Sequence, residues 1–399
     1  MPITLNLENH ASDPPTRRAL AGLSLAVAKC KKIVVLTGAG ISCSCGIPDF
    51  RSSDGLYALV KSHHPDVVLK GRDLFDAALF RDPASTALFY AFIAGLKRAV
   101  DGAQPGATHR FLGMLEGRRK LVRVYTQNVD GLEERAGLIN GAVNGTGAAS
   151  KTGAGKGKAR MKDTRNVQLH GDIHRVRCTF CAAEFACAEE HLRVFESGTA
   201  PDCPECVSRS EARTARSARA LRIGTLRPAI VLYDEAHPRG DDIGAMQGAD
   251  MKRRPDMLVV MGTSLKVHGF KRLVREFARV VHESSPTTTP GASSSSGSTD
   301  AATASPAKTP NAKTLKNWTG KVIYVNKTPP GAEWDGVFDY WVQGESDAWV
   351  GKVEEDWRRM RPGDWEVQGT LDAALKVQKD SANAKPKGEF FFCVCGGKS

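Results

Sequence analysis

Five short aliphatic runs stand out along the chain, each bounded by turn-forming residues: Lys32–Thr37 (KIVVLT), Leu121–Thr126 (LVRVYT), Ala229–Tyr233 (AIVLY), Asp256–Met261 (DMLVVM) and Lys321–Val325 (KVIYV). They are apolar at nearly every position rather than at alternate ones, which predicts strands covered on both faces of a parallel sheet. Between them apolar residues recur at helical spacing over 16–30, 85–100, 108–119 and 266–282, with Ser85 placed to cap the second of these helices. Strands alternating with helices predict an α/β fold, a Rossmann-like doubly wound parallel sheet. Residues 61–105 and 173–224 break the alternation and read as a smaller lobe inserted into it, the first part helical. The large lobe then comprises 15–60, 106–139, 167–172, 225–283 and 313–362, after a flexible N-terminus at 1–14 and before a weakly ordered tail at 363–399.

Two stretches have no pattern that could build a core. Residues 284–312 are Ser/Thr/Pro-rich and carry no apolar side chain larger than Ala, so they cannot bury enough surface to offset the entropy of ordering. Residues 140–166 are rich in Gly, Ala and Lys, and both stretches are expected to be disordered insertions.

Charge adds one thing to this picture. The net charge is +12, and nine of those charges come from two segments, 151–162 and 209–222, read as exposed loops. They are either solvated insertions or a basic surface that meets DNA, nucleosomes or an import receptor. Neither contains aromatic residues for single-strand stacking. No run of eighteen apolar residues occurs, so no membrane span is expected, and the first residues lack the apolar core of a secretory signal. Ten cysteines without such a signal point to a reducing compartment, with thiols that bind metal or sit buried.

The chemistry gathers at the ends of the aliphatic runs. Gly38 and Gly40 follow the first run directly, where a backbone without Cβ atoms can approach a pyrophosphate. The general dinucleotide fingerprint has a third glycine where Cys43 stands, so this motif is incomplete by itself. Asp49, Phe50 and Arg51 in the same loop add a carboxylate, an aromatic ring and a phosphate-seeking guanidinium. The second run ends in Thr126-Gln127-Asn128-Val129-Asp130, the fourth in Gly262-Thr263-Ser264-Leu265 and the fifth in Val325-Asn326-Lys327. Four strand ends bearing small or hydrogen-bonding residues outline a nucleotide-length site, since ligands of open parallel sheets collect there.

A separate signal is Cys178-x2-Cys181 followed by Cys203-x2-Cys206, two knuckles that together supply four thiolates to one zinc ion. Four sulfur ligands leave no water position, so the zinc is structural. Cys187 and His191 lie between the knuckles and read as structural residues. His170, in the run His170-Gly171-Asp172-Ile173-His174, falls where the two lobes join, which makes it the candidate general base. The remaining histidines, His63, His64, His109, His237, His268 and His282, are assigned to surfaces or loops, and Cys43 and Cys45 to packing beside the cofactor loop.

Taken in order, GAGISCSCGIPDFRS (38–52), TQNVDGL (126–132), HG (170–171), the paired CxxC knuckles, GTSL (262–265) and VN (325–326) resemble the sirtuins, NAD-dependent protein-lysine deacylases. The resemblance covers about residues 15–345 outside the insertions. It implies a Rossmann-type lobe, a small lobe made of a helical module and a zinc ribbon, and a cleft where NAD and substrate meet. It further implies that Ala39, Gly40 and Arg51 hold the pyrophosphate and that Phe50 shields the ribose. Ile47 and Asp130 would line the nicotinamide pocket, Gln127 and Asn128 contact its ribose, and Gly262, Thr263, Ser264 and Asn326 take the adenosine side. His170, with Asn128, would be catalytic: after the acyl oxygen of the lysine displaces nicotinamide, His170 would accept a ribose hydroxyl proton.

The same resemblance places an extended acyl-lysine peptide along Val231, Leu232, Tyr233 and Asp234, pairing by β-augmentation. Three positions depart from the family pattern: Asp234 replaces a glycine, Asp172 a Ser or Thr, and Gly269 a Pro. LYDEAHP and VHG are similar to the fungal nuclear branch that deacetylates histone H3, which implies an acetylated nuclear protein as partner and the nucleus as location. Tyr57 without an arginine in the following four residues implies acetyl rather than an acidic acyl group. The alternatives are protein mono-ADP-ribosyl transfer and a non-catalytic, NAD-sensing chromatin scaffold; the apolar run 231–233 speaks against the first and His170 against the second.

Overall fold

The computed structural model describes residues 1–9, 11–52, 55–63, 71–140, 162–284 and 320–365. Residues 141–161, 285–319 and 366–399, which hold most of both insertions and of the tail, lie outside the described residues, as does His64. In chain order the first elements are β1 (Ile3–Asn6), α1 (Pro14–Lys29), β2 (Ile33–Thr37), α2 (Leu56–His63), α3 (Pro83–Gly102), α4 (Ala107–Gly117), β3 (Leu121–Thr126) and α5 (Leu132–Arg135). Then come β4 (Asn166–Gln168), β5 (Gly171–Cys178), β6 (Glu184–Ala186), α6 (Glu189–Glu196), α7 (Pro204–Thr214) and β7 (Leu226–Ile230). The last are α8 (Gly240–Lys252), β8 (Met257–Met261), α9 (His268–Glu283), β9 (Lys321–Asn326), β10 (Tyr340–Gln343) and α10 (Ser346–Met360).

The aliphatic runs at 33–37, 121–126, 257–261 and 321–326 become neighbouring strands of one parallel sheet in the order β1-β10-β9-β8-β2-β3-β4. Every residue of β2, β3 and β8 is buried, as expected for strands with helices on both faces. One face packs on α1, α4 and α10 around Leu23, Val27, Phe111, Trp349 and Trp357. The other packs on α9 around Phe270, Val274 and Phe277. The chain turns from β2 to β3 on one side and reaches β8 on the other, so the order reverses at β2. That is the switch point at which such sheets open a crevice.

The third run is a correction. Ala229–Tyr233 is not a strand of the parallel sheet: β7 covers Leu226–Ile230 and pairs antiparallel with β5, in the small sheet β6-β5-β7. Its apolar residues are covered by the small lobe's own core, which also gives an unbroken aliphatic run. Residues 1–14 are likewise not all flexible, because Ile3–Asn6 pairs in parallel with β10 at the sheet edge. The helix expected at 85–100 starts at Pro83, and its cap is Asp82, whose carboxylate accepts from Ser85 N at 2.8 Å. Segment 209–222 is not all loop, since α7 runs to Thr214 from the knuckle residue Cys203, with Pro204 in its first turn. Packing also continues past 362: Trp365 lies edge-on to Trp357 at 5.8 Å, and the Arg118 guanidinium stacks over it at 3.9 Å.

A single core unites the helical and zinc-binding parts of the small lobe. Tyr90 of α3 stacks on Phe195 of α6 with ring centroids 5.1 Å apart. Arg98 of α3 bonds both Glu189 and Glu196 of α6. No helix among the described residues is long and apolar enough to cross a membrane.

A buried ion pair ties α8 to the central sheet. Arg123 Nε donates to Asp250 Oδ2 at 2.5 Å, Tyr125 Oη donates to the same oxygen at 2.9 Å, and Arg123 and Asp250 are 3% and 1% exposed. Removing one partner of such a pair strands the other charge in the interior. Asp250→Ala is therefore expected to destabilise the protein by about 3–5 kcal/mol, read as a lower urea midpoint; an unchanged midpoint would show that Arg123 reaches water or another acceptor.

Candidate active site at the strand ends

The ends of β2, β3, β8 and β9 open into a cavity of about 1020 Å³, closed on its far side by Phe75, Ile93, Leu96 and residues 230–235 of the small lobe. The register that aligns Thr37 with both Thr126 and Met261, and Met261 with Val325, brings the four predicted strand ends to one level. Gly38, Ala39, Gly40, Asp49, Phe50, Arg51, Gln127, Asn128, His170, Val231, Leu232, Tyr233, Asp234, Gly262, Thr263, Ser264 and Asn326 all line this cavity. Ile47 and Asp130 do not; they stand behind the wall, 6% and 4% exposed.

The glycines have a further reason to be glycines. A Cβ on Gly40 would meet the Cα of Gly262 at 2.8 Å, and one on Gly38 would meet Gly262 O and Thr263 Cβ at 2.8 Å. Their N–H groups donate to Met261 O (3.1 Å) and Gly262 O (2.8 Å), so these two glycines lock the loop after β2 onto the end of β8. From there a polar ring runs across the strand ends. Gln127 Nε2 donates to Thr263 Oγ1 (2.8 Å), Tyr324 Oη donates to Thr263 O (2.8 Å), and Asn326 Nδ2 donates to Tyr324 Oη (2.9 Å).

His170 Nδ1 lies 3.0 Å from the carbonyl oxygen of Gln127. A carbonyl can only accept, so Nδ1 carries the proton and Nε2 is left with the lone pair. Burial disfavours the cation and lowers this imidazole to about 4, with the nearby His237 ring acting in the same direction. His170 is thus neutral at physiological pH and basic at Nε2. Gly171 follows it at φ +87°, and a Cβ there would run into Ala229 O, where β5 pairs with β7.

Behind the cavity lies a buried assembly that sequence reasoning missed. His109, assigned above to a surface, is fully buried. Its Nδ1 accepts from Gly106 N (3.2 Å), so its proton sits on Nε2, which faces Ser42 Oγ at 3.4 Å. Ser42 Oγ donates to Asp130 Oδ2 (2.7 Å) and accepts from Asn128 Nδ2 (3.2 Å). Asn128 and Asp130 are thereby held through one hydroxyl. Burial, then the charge of Asp130, pushes the carboxyl of Glu133 well above the usual range, and its Oε1 lies 3.4 Å from Thr37 Oγ1. His109, Asp130 and Glu133 are close enough together to suggest a metal site, but a nitrogen that carries a proton cannot be a ligand. The available signal was positional: His109 sits three residues before Leu112, on the apolar face of α4.

Two other cavity residues drew no functional reading from the sequence. Asp347, at the start of α10, accepts from Ser44 Oγ (2.8 Å) and from Thr108 N (2.8 Å). His237, also assigned to a surface, lines the cavity, and its Nδ1 accepts from Arg239 N at 3.0 Å. Burial, then Arg239, lowers its imidazole below the ordinary value. Asp234 adopts φ 64°, the left-handed conformation that a glycine accepts without penalty. The main chain of Tyr233 pairs inside the protein, its N–H to Phe75 O (2.8 Å) and its carbonyl to Ala77 N (3.1 Å).

The four knuckle cysteines converge with Cys178–Cys206 and Cys181–Cys203 sulfur separations of 3.7 Å each. A disulfide would need about 2.05 Å. A tetrahedral zinc with bonds of about 2.3 Å sets sulfur–sulfur edges near 3.8 Å, so the thiols fit one structural zinc. Cys187 lies apart from this group, and burial pushes its thiol up to about 11.

The sequence pattern of the Sir2 family matches residues 38–165 and 156–269. The NAD-dependent histone deacetylase HST3 of Candida albicans is 39% identical over 327 residues, covering 81% of this chain and 59% of its own length. The protein of the same name from Saccharomyces cerevisiae is 36% identical, covering 94% of this chain and 77% of its own. The chain thus spans about 59% of the first of these relatives. Among solved structures, a Sir2 homologue in complex with NAD superposes with a TM-score of 0.52 at 23% identity, over 86% of this chain and 94% of that one. At that identity the likeness concerns the fold.

Because structural zinc contributes directly to folding, the purified protein is expected to carry one equivalent by elemental analysis. Cys203→Ser should lose the metal and show early proteolysis within 173–230, while the α1, β2 and β3 region stays protected. A metal-free parent with an intact small lobe would contradict this assignment.

Proposed function

The chain belongs to the Sir2 family, and from that premise we propose that it is an NAD-dependent protein-lysine deacetylase acting in the nucleus on acetylated histone, with H3 as the first candidate. The observation that carries this reading is His170. Its Nδ1 proton is committed to Gln127 O at 3.0 Å, so Nε2 is left as a base on the wall of the cavity where the strand ends meet the small lobe.

In this reading NAD lies along the strand ends. Ala39, Gly40 and Arg51 serve the pyrophosphate, Gln127 and Asn128 the nicotinamide ribose, and Thr263, Ser264 and Asn326 the adenosine. Ile47 and Asp130 back the nicotinamide pocket. Glycosidic bond cleavage builds positive charge on the ribose, which oriented dipoles and exclusion of water stabilise. The ring of Phe50, edge-on to Phe75 at 5.3 Å and to Tyr57 at 5.7 Å, is held where it can exclude water. Asn128 is oriented by Ser42, so its carboxamide is fixed before substrate arrives. His170 Nε2 then accepts the ribose hydroxyl proton. The acyl-lysine enters along Val231, Leu232 and Tyr233; its acyl oxygen bonds to the ribose carbon as nicotinamide leaves, the deprotonated ribose hydroxyl adds to the resulting imidate carbon, and one water admitted after that step hydrolyses the adduct to free lysine and O-acetyl-ADP-ribose. NAD supplies the electrophilic ribose carbon.

We further propose that the described part of the basic charge contacts nucleosomal DNA. Residues 211–223 are all exposed, and Arg213, Arg216, Arg219 and Arg222 pair with no carboxylate among the described residues. Ser217, at φ 56°, turns the chain back after α7, and Ala218 N bonds Arg213 O at 3.1 Å. The arginines are thereby gathered around one turn.

Incubation with NAD and an acetylated H3 peptide should release O-acetyl-ADP-ribose, detected by mass, and His170→Ala should lower kcat/KM by about 10²–10⁴. Retained activity in that variant would remove His170 from its role. Burial places the cation of His170 at about 4, below the ordinary 6.5, so the neutral base persists as pH falls. The kcat/KM profile should hold to about pH 5 and drop toward pH 4; a half-loss near pH 6.5 would mean the base is solvated. For the DNA contact, neutralising Arg213, Arg216 and Arg219 together should reduce the salt slope of duplex binding by about 2–3. An unchanged slope would place the contact elsewhere.

A further inference from the structure

Arg51 and Tyr233 come from different parts of the chain and meet at the cavity rim. Arg51 belongs to the loop after β2, whose shape is set by Asp49: its Oδ1 accepts from Arg51 N (2.7 Å) and Ser52 N (2.8 Å). Its carbonyl accepts from Leu56 N at 2.7 Å, which returns the loop to α2. The Arg51 backbone is therefore fixed while its side chain is exposed. The guanidinium Nη2 donates to Tyr233 Oη at 2.9 Å. Tyr57 completes the group, with its Oη 3.4 Å from Tyr233 Oη and the Arg51 guanidinium carbon 5.7 Å from its ring centroid.

Tyr233 has a fixed main chain: its N–H and carbonyl are both bonded to the 75–77 turn, and its ring carries the hydroxyl to Arg51. An arginine has five N–H donors in one plane, and the bond to Tyr233 occupies one of them. Among the described residues no other hydrogen bond takes the rest of the fork, which faces the cavity that both residues line.

We propose that Tyr233 is a positioning residue that couples the two substrates. Its hydroxyl holds Arg51 in the rotamer that meets the pyrophosphate. Because the acyl-lysine peptide lies along the same residue, peptide binding restrains the phenol and so favours NAD. This rests on the assignment of the cavity to NAD and acyl-lysine made above. A side chain that is already placed loses less freedom on binding, which corresponds to an affinity gain of about three- to tenfold. The coupling is reciprocal: a bound nucleotide must raise peptide affinity by the same factor.

The test is calorimetry with ADP-ribose as probe, with and without the acetylated H3 peptide, on the full chain and on Tyr233→Phe, which removes one hydroxyl and keeps the ring. The parent should bind ADP-ribose about three- to tenfold more tightly when peptide is present. The variant should bind it equally in both cases. In steady state the variant's loss should fall on KM for NAD, by a similar factor, more than on kcat. In an Arg51→Ala background, Tyr233→Phe should change nothing further, since the two act as one unit. A variant that keeps the peptide-dependent gain, or an effect that adds to that of Arg51→Ala, overturns the coupling and leaves the deacetylase reading intact. A parent that shows the coupling but releases no O-acetyl-ADP-ribose overturns that reading and leaves the coupling standing.

Discussion

Between Gly40 and Gly262 there is no room for a methyl group. A Cβ on either would enter the backbone of the other strand's loop, at 2.8 Å from Gly262 Cα in one case and 2.5 Å from Ile41 N in the other. This contact holds the loop after β2 against the end of β8, and the bonds from Gly38 N to Met261 O and from Gly40 N to Gly262 O make it rigid. The position of nearly every polar group in the cavity follows. Thr263 is set where Gln127 and Tyr324 can reach it, and Ser42, one turn further on, is set where it can hold Asn128 and Asp130. A side chain at either glycine would push β8 away from β2 and open the ring at its centre.

Dryness governs the titrating groups around that contact. Burial lowers His170 and His109 and raises Glu133, so each is driven to its neutral form. Neutrality then fixes the hydrogen-bond directions. Nδ1 of His170 must donate to a carbonyl, and Nδ1 of His109 must accept from an N–H. One imidazole is therefore left basic toward the cavity, while the other presents its N–H to Ser42. The same residue type is left with a free lone pair or with an N–H according to which backbone group it faces.

The small lobe depends on another kind of restraint. Its helical and metal-binding parts share one apolar core, and β7 carries the chain from the knuckles directly to the 231–235 segment that closes the cavity. Metal retention and the shape of the cavity are in this way linked through β5 and β7. That is why four thiols distant from the chemistry bear on it.

The strands with continuous aliphatic runs, the glycine turn, the polar strand ends and the paired knuckles were all legible in the sequence. Each is a local requirement: an apolar residue at every position for double burial, no Cβ at a close approach, two thiols on one turn. What local pattern could not reveal was partnership. The run at 229–233 is as aliphatic as its neighbours, and only the packing of β7 against β5 assigns it to the other sheet, because burial leaves the same signature whichever core provides it. Strands as short as β1, β4 and β10 carry too few residues for periodicity and owe their existence to the edges they join. His109 and His237 were assigned to surfaces or loops and Asp347 drew no reading, since the sequence around each does not name the groups it meets. Their partners lie up to 239 positions away, and a contact across that distance exists only once the chain has closed on itself.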